Sequence, residues 1–194
     1  MSQADVRAAI QAYLASGIGD VDPAIPGLND VYLAQPVFID PTRWWELPAE
    51  FGGGTIGWLH LAVVNEDRIA FPAVEGQKMT GYTVALVLIY RWQVQSADQD
   101  TPARGDEWVL GNDATIDAIK AYIRKDPNLG TSETTLWNEQ PGVIYDQYPG
   151  VIWQAGQDEG DLSMRADPPW RDESGGEVLS FQVLEFHAYE VITA

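Results

Sequence analysis

The chain of 194 residues holds no cysteine and sets 29 Asp plus Glu against 11 Lys plus Arg, a formal net charge of -18. Disulfide scaffolds, thiolate zinc sites and cysteine nucleophiles are excluded, and so polyanionic a surface opposes gripping nucleic acid, whose phosphates bind clustered bases. A hydrophobic share of 45% suits a single domain, 1–194, with one sizeable core, and the acids gather C-terminally: 10 against 5 bases up to Ala97, then 19 against 6. The plainest reading of that excess is a solvated face that keeps the protein soluble.

Met1-Ser2-Gln3-Ala4-Asp5 places an acid before any base and lacks the apolar stretch of a secretory leader, so no export signal is expected. The first helix is predicted over Gln3–Ser16: Val6, Ile10, Tyr13 and Leu14 recur at helical spacing, and Gly17 is expected to stop it in a left-handed turn. Residues 19–30, with Pro23, Pro26 and Gly27, read as a connector, and a short strand should follow at Val31–Ala34. Asp40–Gly54 mixes Pro41, Trp44, Trp45 and Pro48 with three glycines and reads as an ordered excursion, a lid or an interaction arm.

Thr55–Val64 is a β-branched and aromatic strand, Asn65-Glu66-Asp67 a polar turn and Ile69–Phe71 a possible return. Tyr82–Val94 is the clearest strand. Val84, Leu86, Leu88, Tyr90, Trp92 and Val94 form one apolar face, and the odd positions, ending in Arg91 and Gln93, suggest a strand central at its start and solvated on one face at its end. The longest greasy run, Val84–Tyr90, is too short to span a bilayer, so no membrane partner is expected.

Residues 96–111 read as a polar loop, and Asn112 or Asp113 should cap a second helix with Ile116, Ile119, Tyr122 and Ile123 inward and Lys120, Arg124 and Lys125 toward the negative end of the dipole, stopped by Asp126-Pro127. Short apolar runs follow at Val143–Tyr145 and Val151–Gln154. Gly156–Gly176, acidic and carrying Pro168-Pro169, reads as a long loop that is poorly ordered until a neighbour covers it. Glu177–Thr193 closes the chain as a long strand whose apolar residues on both sides call for a bulge or two-sided burial. The fold class is therefore α+β: a mostly antiparallel sheet, two helices packed on one face, and long loop excursions.

Little chemistry is visible. His60 and His187 both fall in strands without metal-ligand spacing, no HExxH, GxSxG or GxxxxGK pattern occurs, and Gly52-Gly53-Gly54 precedes no lysine. Acid pairs such as Asp20/Asp22, Asp98/Asp100 and Asp158/Glu159/Asp161 could attract calcium, but none has EF-hand spacing and solvated loop acids are the favoured reading. No catalytic residue, metal or cofactor is expected. The eight tryptophans are the unusual feature. Trp58 and Trp92 belong to strands, whereas Trp44, Trp45, Trp108, Trp137 and Trp170 fall in apparent loops. There they serve either as interface residues or as plugs beneath the loops themselves.

The order of these elements, with Tyr90-Arg91-Trp92-Gln93 ending the long strand, Asp117-Ala118-Ile119-Lys120-Ala121-Tyr122 in the second helix and Asp126-Pro127-Asn128-Leu129-Gly130 after it, resembles the tail terminator proteins of long-tailed bacteriophages. The likeness is strongest over Tyr82–Leu129 and Glu177–Ile192; the Asp40–Gly54 and Gly156–Gly176 segments depart from it. It implies a virion protein, made in the host cytoplasm, that self-assembles as a ring, usually a hexamer. Such a ring caps the tail tube protein and offers a docking face to the neck or head-completion protein. A ring through which DNA slides should not adhere to phosphate, which an acidic lumen ensures, so no tight nucleic-acid binding is expected. The alternative from another class is a carbohydrate-binding, β-rich module that uses its loop tryptophans.

Overall fold

The computed structural model describes residues 3–19, 23–40, 42–43, 45–47, 51–68, 77–93, 107–126, 129, 152–154, 162–171 and 177–193. Among the described residues two helices and seven strands follow one another as α1 (Gln3–Ser16), β1 (Leu28–Tyr32), β2 (Gly54–Arg68), β3 (Gln77–Gln93), α2 (Glu107–Lys125), β4 (Ile152–Gln154), β5 (Ser163–Ala166), β6 (Trp170–Arg171) and β7 (Glu177–Thr193). One sheet runs β1-β2-β3-β7-β4, with β5 and β6 also paired to β7. The β1–β2 pair is parallel and all the others are antiparallel. This is the α+β class expected from the sequence, with the helices lying on the sheet.

Strand alternation gives the sheet two distinct faces. One carries Leu59 and Leu61 of β2, Tyr82, Val84, Leu86 and Leu88 of β3, and Leu184, Phe186 and Ala188 of β7, all buried beneath Val6, Ile10 and Leu14 of α1 and Ile116, Ile119 and Ile123 of α2. In-register rows such as Leu61–Val84–Phe186 and Leu59–Leu86–Leu184 cross the three long strands. At Gly57 the missing side chain makes room, since a Cβ would lie 2.9 Å from Leu88 Cδ2.

The helices meet through Tyr13 and Tyr122, stacked at 4.7 Å, with the Tyr13 hydroxyl donating to the Tyr122 carbonyl oxygen at 2.7 Å. Gln11 Nε2 ties α1 to β1 by donating to the Val31 carbonyl at 2.8 Å. Gly17 does not take the left-handed turn expected of it. Its φ is not positive, and its role is space, because a Cβ there would lie 2.8 Å from Ile25 Cδ1 and 3.0 Å from Tyr122 Cε1. Burial first, then the negative field of Asp126, raises the Tyr13 pKa above the ordinary tyrosine value. A group whose pKa is raised on folding contributes stability that is complete below the unfolded value, about 10, and lost as pH climbs toward the folded one. Alkaline titration followed by circular dichroism should therefore show stability falling above pH about 10, and Tyr13→Phe should remove that group's share of the slope.

Several boundaries differ from expectation, each for a non-local reason. β1 starts at Leu28 rather than Val31, because Gly27, at φ +82°, turns the chain and accepts a bond from Thr55 N at 2.8 Å, setting Leu28 beside Thr55. The polar triplet Asn65-Glu66-Asp67 is no turn. β2 continues through it past an irregularity between Val63 and Asn65, since β3 begins at Gln77 and supplies partners for Asn65 through Arg68. β3 is paired to both β2 and β7 from Lys78 to Arg91, and on its second face Thr83, Ala85 and Val87 are half-buried, Ile89 and Arg91 buried, and Gln93 exposed at the end as expected. There Arg91 is ion-paired with Glu177.

α2 begins at Glu107, so Asn112 is a buried interior residue and no cap; the acid in the first turn suits the helix dipole. Thr115 Oγ1 donates toward the Gly111 and Pro26 carbonyls, 3.0 and 3.1 Å away, which pins α2 to the turn before β1. β7 keeps continuous register with β3, so its two apolar sides reflect two-sided burial without a bulge. Within the acidic segment Gly156–Gly176, residues 163–166 and 170–171 are strands on β7, with Pro168-Pro169 in the gap between them; the described part is built into the fold. The remainder of that segment, the run at Val143–Tyr145 and the return at Ile69–Phe71 lie outside the described residues.

Candidate functional site

The second face of the sheet is where the tryptophans converge. Ile56 and Trp58 of β2, Ile89 of β3 and Leu179 of β7 form a buried cluster with Ile39, and Tyr32, Trp45, Leu47, Phe51, Val87, Trp170 and Phe181 pack against it. Trp58, 6% exposed, meets Phe181 edge-on at 6.4 Å. The described part of the Asp40–Gly54 excursion is thus ordered against the sheet through Trp45, Leu47 and Phe51, with Trp45 acting as a plug beneath its loop.

Local bonds shape that cover. Asp40 Oδ1 accepts from both the amide and the hydroxyl of Thr42 at 2.7 Å, and these bonds, the hydroxyl's first, hold its carboxyl below the ordinary carboxylate range. Further turn bonds run from Arg43 N to Asp40 O at 3.0 Å and from Glu46 N to Arg43 O at 2.9 Å. Where the excursion rejoins the sheet, Gly54 sits at φ +112° with Asn29 2.7 Å from any added Cβ, a position only glycine fits.

The five candidate tryptophans separate. Trp45 and Trp170 come together on this cluster, both half-buried. Trp108 lies in the first turn of α2 and not in a loop, half-buried and outside the cluster. Trp44 and Trp137 lie outside the described residues. Of the two histidines, His60 is exposed on β2 and His187 belongs to β7.

Two features had no sequence signal. One is a set of exposed apolar side chains on separate elements: Leu33, Val37 and Phe38 in the segment after β1, at 48%, 103% and 43% exposure, and Val109 and Leu110 in the opening turns of α2, at 36% and 67%. Phe38 leans on Phe51 with centroids 5.0 Å apart, which steadies the first patch against the cover. Val37-Phe38 looks like any short apolar pair beside prolines, and only the fold shows it pointing outward. The other is a cleft of 310 Å³ where α1, the segment after β1 and the second sheet face meet, lined by Arg7, Gln35, His60, Trp58 and Phe181 among others.

No protein-family model matches the chain, and no curated protein is significantly similar to it. Among the described residues no group of three or more His, Asp or Glu is arranged to hold a metal ion, and no helix is long and apolar enough to cross a membrane.

Proposed function

We propose that the protein is a tail terminator subunit of a long-tailed bacteriophage, closing head-to-tail into a ring that caps the tail tube and receives the neck. One observation carries the reading: a chain of net charge -18 groups exposed large apolar side chains in the Leu33–Phe38 segment and at the start of α2, with Met164 of β5 exposed singly. A rotational ring with heterologous contacts needs two unlike patches on every subunit, one seated on the next copy's other patch. Exposed aliphatic groups of this size on an otherwise acidic surface are what such patches require. The sheet with two helices on one face agrees with the subunit architecture implied by the resemblance, and the acidic balance suits a lumen that must let DNA slide. No catalytic role and no cofactor enter this reading. The carbohydrate-binding alternative asks for open tryptophan faces, whereas Trp45 and Trp170 set theirs against the protein's own second cluster.

The test uses one variant per patch, Val37→Asp and Leu110→Glu. Each should be folded and unable to form a ring alone. Mixed together they retain one intact pairing between them, so sedimentation velocity should show a one-to-one heterodimer and nothing larger. A mixture that stays monomeric, or single variants that assemble like the parent, would refute the head-to-tail arrangement.

A further inference from the structure

The cleft between α1 and the second sheet face borders the Leu33–Phe38 segment, which gives it Ala34 and Gln35, while the exposed Leu33, Val37 and Phe38 side chains do not line it. Its apolar side is Trp58, Val87 and Phe181; its polar groups are Arg7, Gln35 and the exposed His60. β1 pairs with β2 only as far as Trp58, so beyond that point Arg7 of α1 and Gln35 of the following segment come to line the same space as His60. Gln35 Nε2 donates to the Ile39 carbonyl at 2.8 Å, which holds that wall in place.

Arg7 is the one cleft-lining residue among the described side chains with a buried polar atom left without a hydrogen-bond partner. Its Nε is buried and finds no hydrogen-bond partner, and among the described residues no Asp or Glu lines the cleft. Arg7 lines the cleft with no carboxylate beside it among the described lining residues, and the anion that best matches the planar donor fork of arginine is a carboxylate. The indole, valine and phenyl side chains alongside offer an apolar surface to whatever carries that carboxylate. A space of 310 Å³ is at the small end of ligand pockets, enough for one ring with a short acidic arm.

We propose that this cleft is a binding site for a carboxylate borne on a flat apolar body, with Arg7 as its anion partner, His60 as a second polar contact and Trp58, Val87 and Phe181 as the seat for the apolar part. Two sources supply that chemistry, a free aromatic acid or an acidic side chain next to an aromatic one in a polypeptide.

The experiment titrates the full chain, isotope-labelled, with phenylacetate and with its neutral counterpart phenylacetamide, reading amide shifts at Gln35, His60 and Val87. The acid should bind at least tenfold more tightly than the amide. Arg7→Met should bring the acid down to the amide's affinity, and Arg7→Lys should keep part of the preference. A parallel arm uses N-acetyl-Phe-Glu amide against N-acetyl-Phe-Gln amide. Tighter binding of the acidic dipeptide than of phenylacetate assigns the site to a polypeptide, and the reverse order assigns it to a free acid. Equal binding of acid and amide by the parent protein, shifts elsewhere than these three residues, or an acid preference that survives Arg7→Met would overturn the assignment. The comparison of acid with amide on the parent chain stands even if the Arg7 variants fail to fold.

Discussion

Phe186→Ala is expected to cost about 3–5 kcal/mol of folding stability, the range for emptying a buried aromatic site. Phe186 is 1% exposed, sits opposite Val84 in the Leu61–Val84–Phe186 row and belongs to the cluster that joins both helices to the sheet. Its neighbours come from three long strands held in continuous register around that row, so the cavity has little freedom to collapse. Whole-domain stabilities are typically only about 5–15 kcal/mol, so the variant should be marginal. Urea unfolding should show a much lower midpoint with an unchanged slope, and the thermal midpoint should fall by roughly 10 °C. A loss below about 1 kcal/mol would mean that the helices do not seal this face as described.

Trp45→Ala is the second large effect, and it separates two roles for the excursion. Were Trp45 an interface residue on a free arm, its loss would weaken association and leave the monomer's stability alone. Packed on Ile39, Ile56, Trp58, Ile89 and Leu179, it should instead lower monomer stability by about 2–3 kcal/mol, somewhat less than a fully buried tryptophan would. Trp170→Ala should act in the same direction. The double variant should depart from additivity, because both rings bear on one cluster. Unfolding curves of the two single variants and the double variant decide it, and an unchanged monomer stability in Trp45→Ala would return the residue to the surface.

What could be read from the residues followed local periodicity. Val6, Ile10 and Leu14 set the first helix at Gln3–Ser16, and the apolar run after Glu177 set the last strand at Glu177–Thr193; both stand as expected. The buried stripe of α2, Ile116, Ile119 and Ile123, was equally plain. The misreadings arose where a distant partner overrode a local signal. Asn65-Glu66-Asp67 has turn chemistry, yet Gly81, Thr80 and Met79 hold it in a ladder. Ser163–Ala166 is flanked by acids and prolines, yet the edge of β7 takes it as a strand with all four side chains exposed. Gly111 argues against a helix interior, yet α2 passes through it close to Tyr90, whose hydroxyl would lie 2.9 Å from an added Cβ. For the candidate site the tryptophan count drew attention to the right residue type, but whether a loop tryptophan faces inward depends on what the loop covers. Arg7 and His60, 53 positions apart in the sequence, share no local pattern that could have announced a cleft.

The claim that matters most is assembly, and the native mass of the purified chain tests it directly. Sedimentation velocity across low to tens of micromolar protein, in near-physiological salt, should show a discrete closed species at six times the subunit mass growing at the expense of monomer, with no ladder beyond it, because a ring that closes leaves no free patch. A single monomeric boundary over that entire range, or an open series of ever larger species, would contradict the ring.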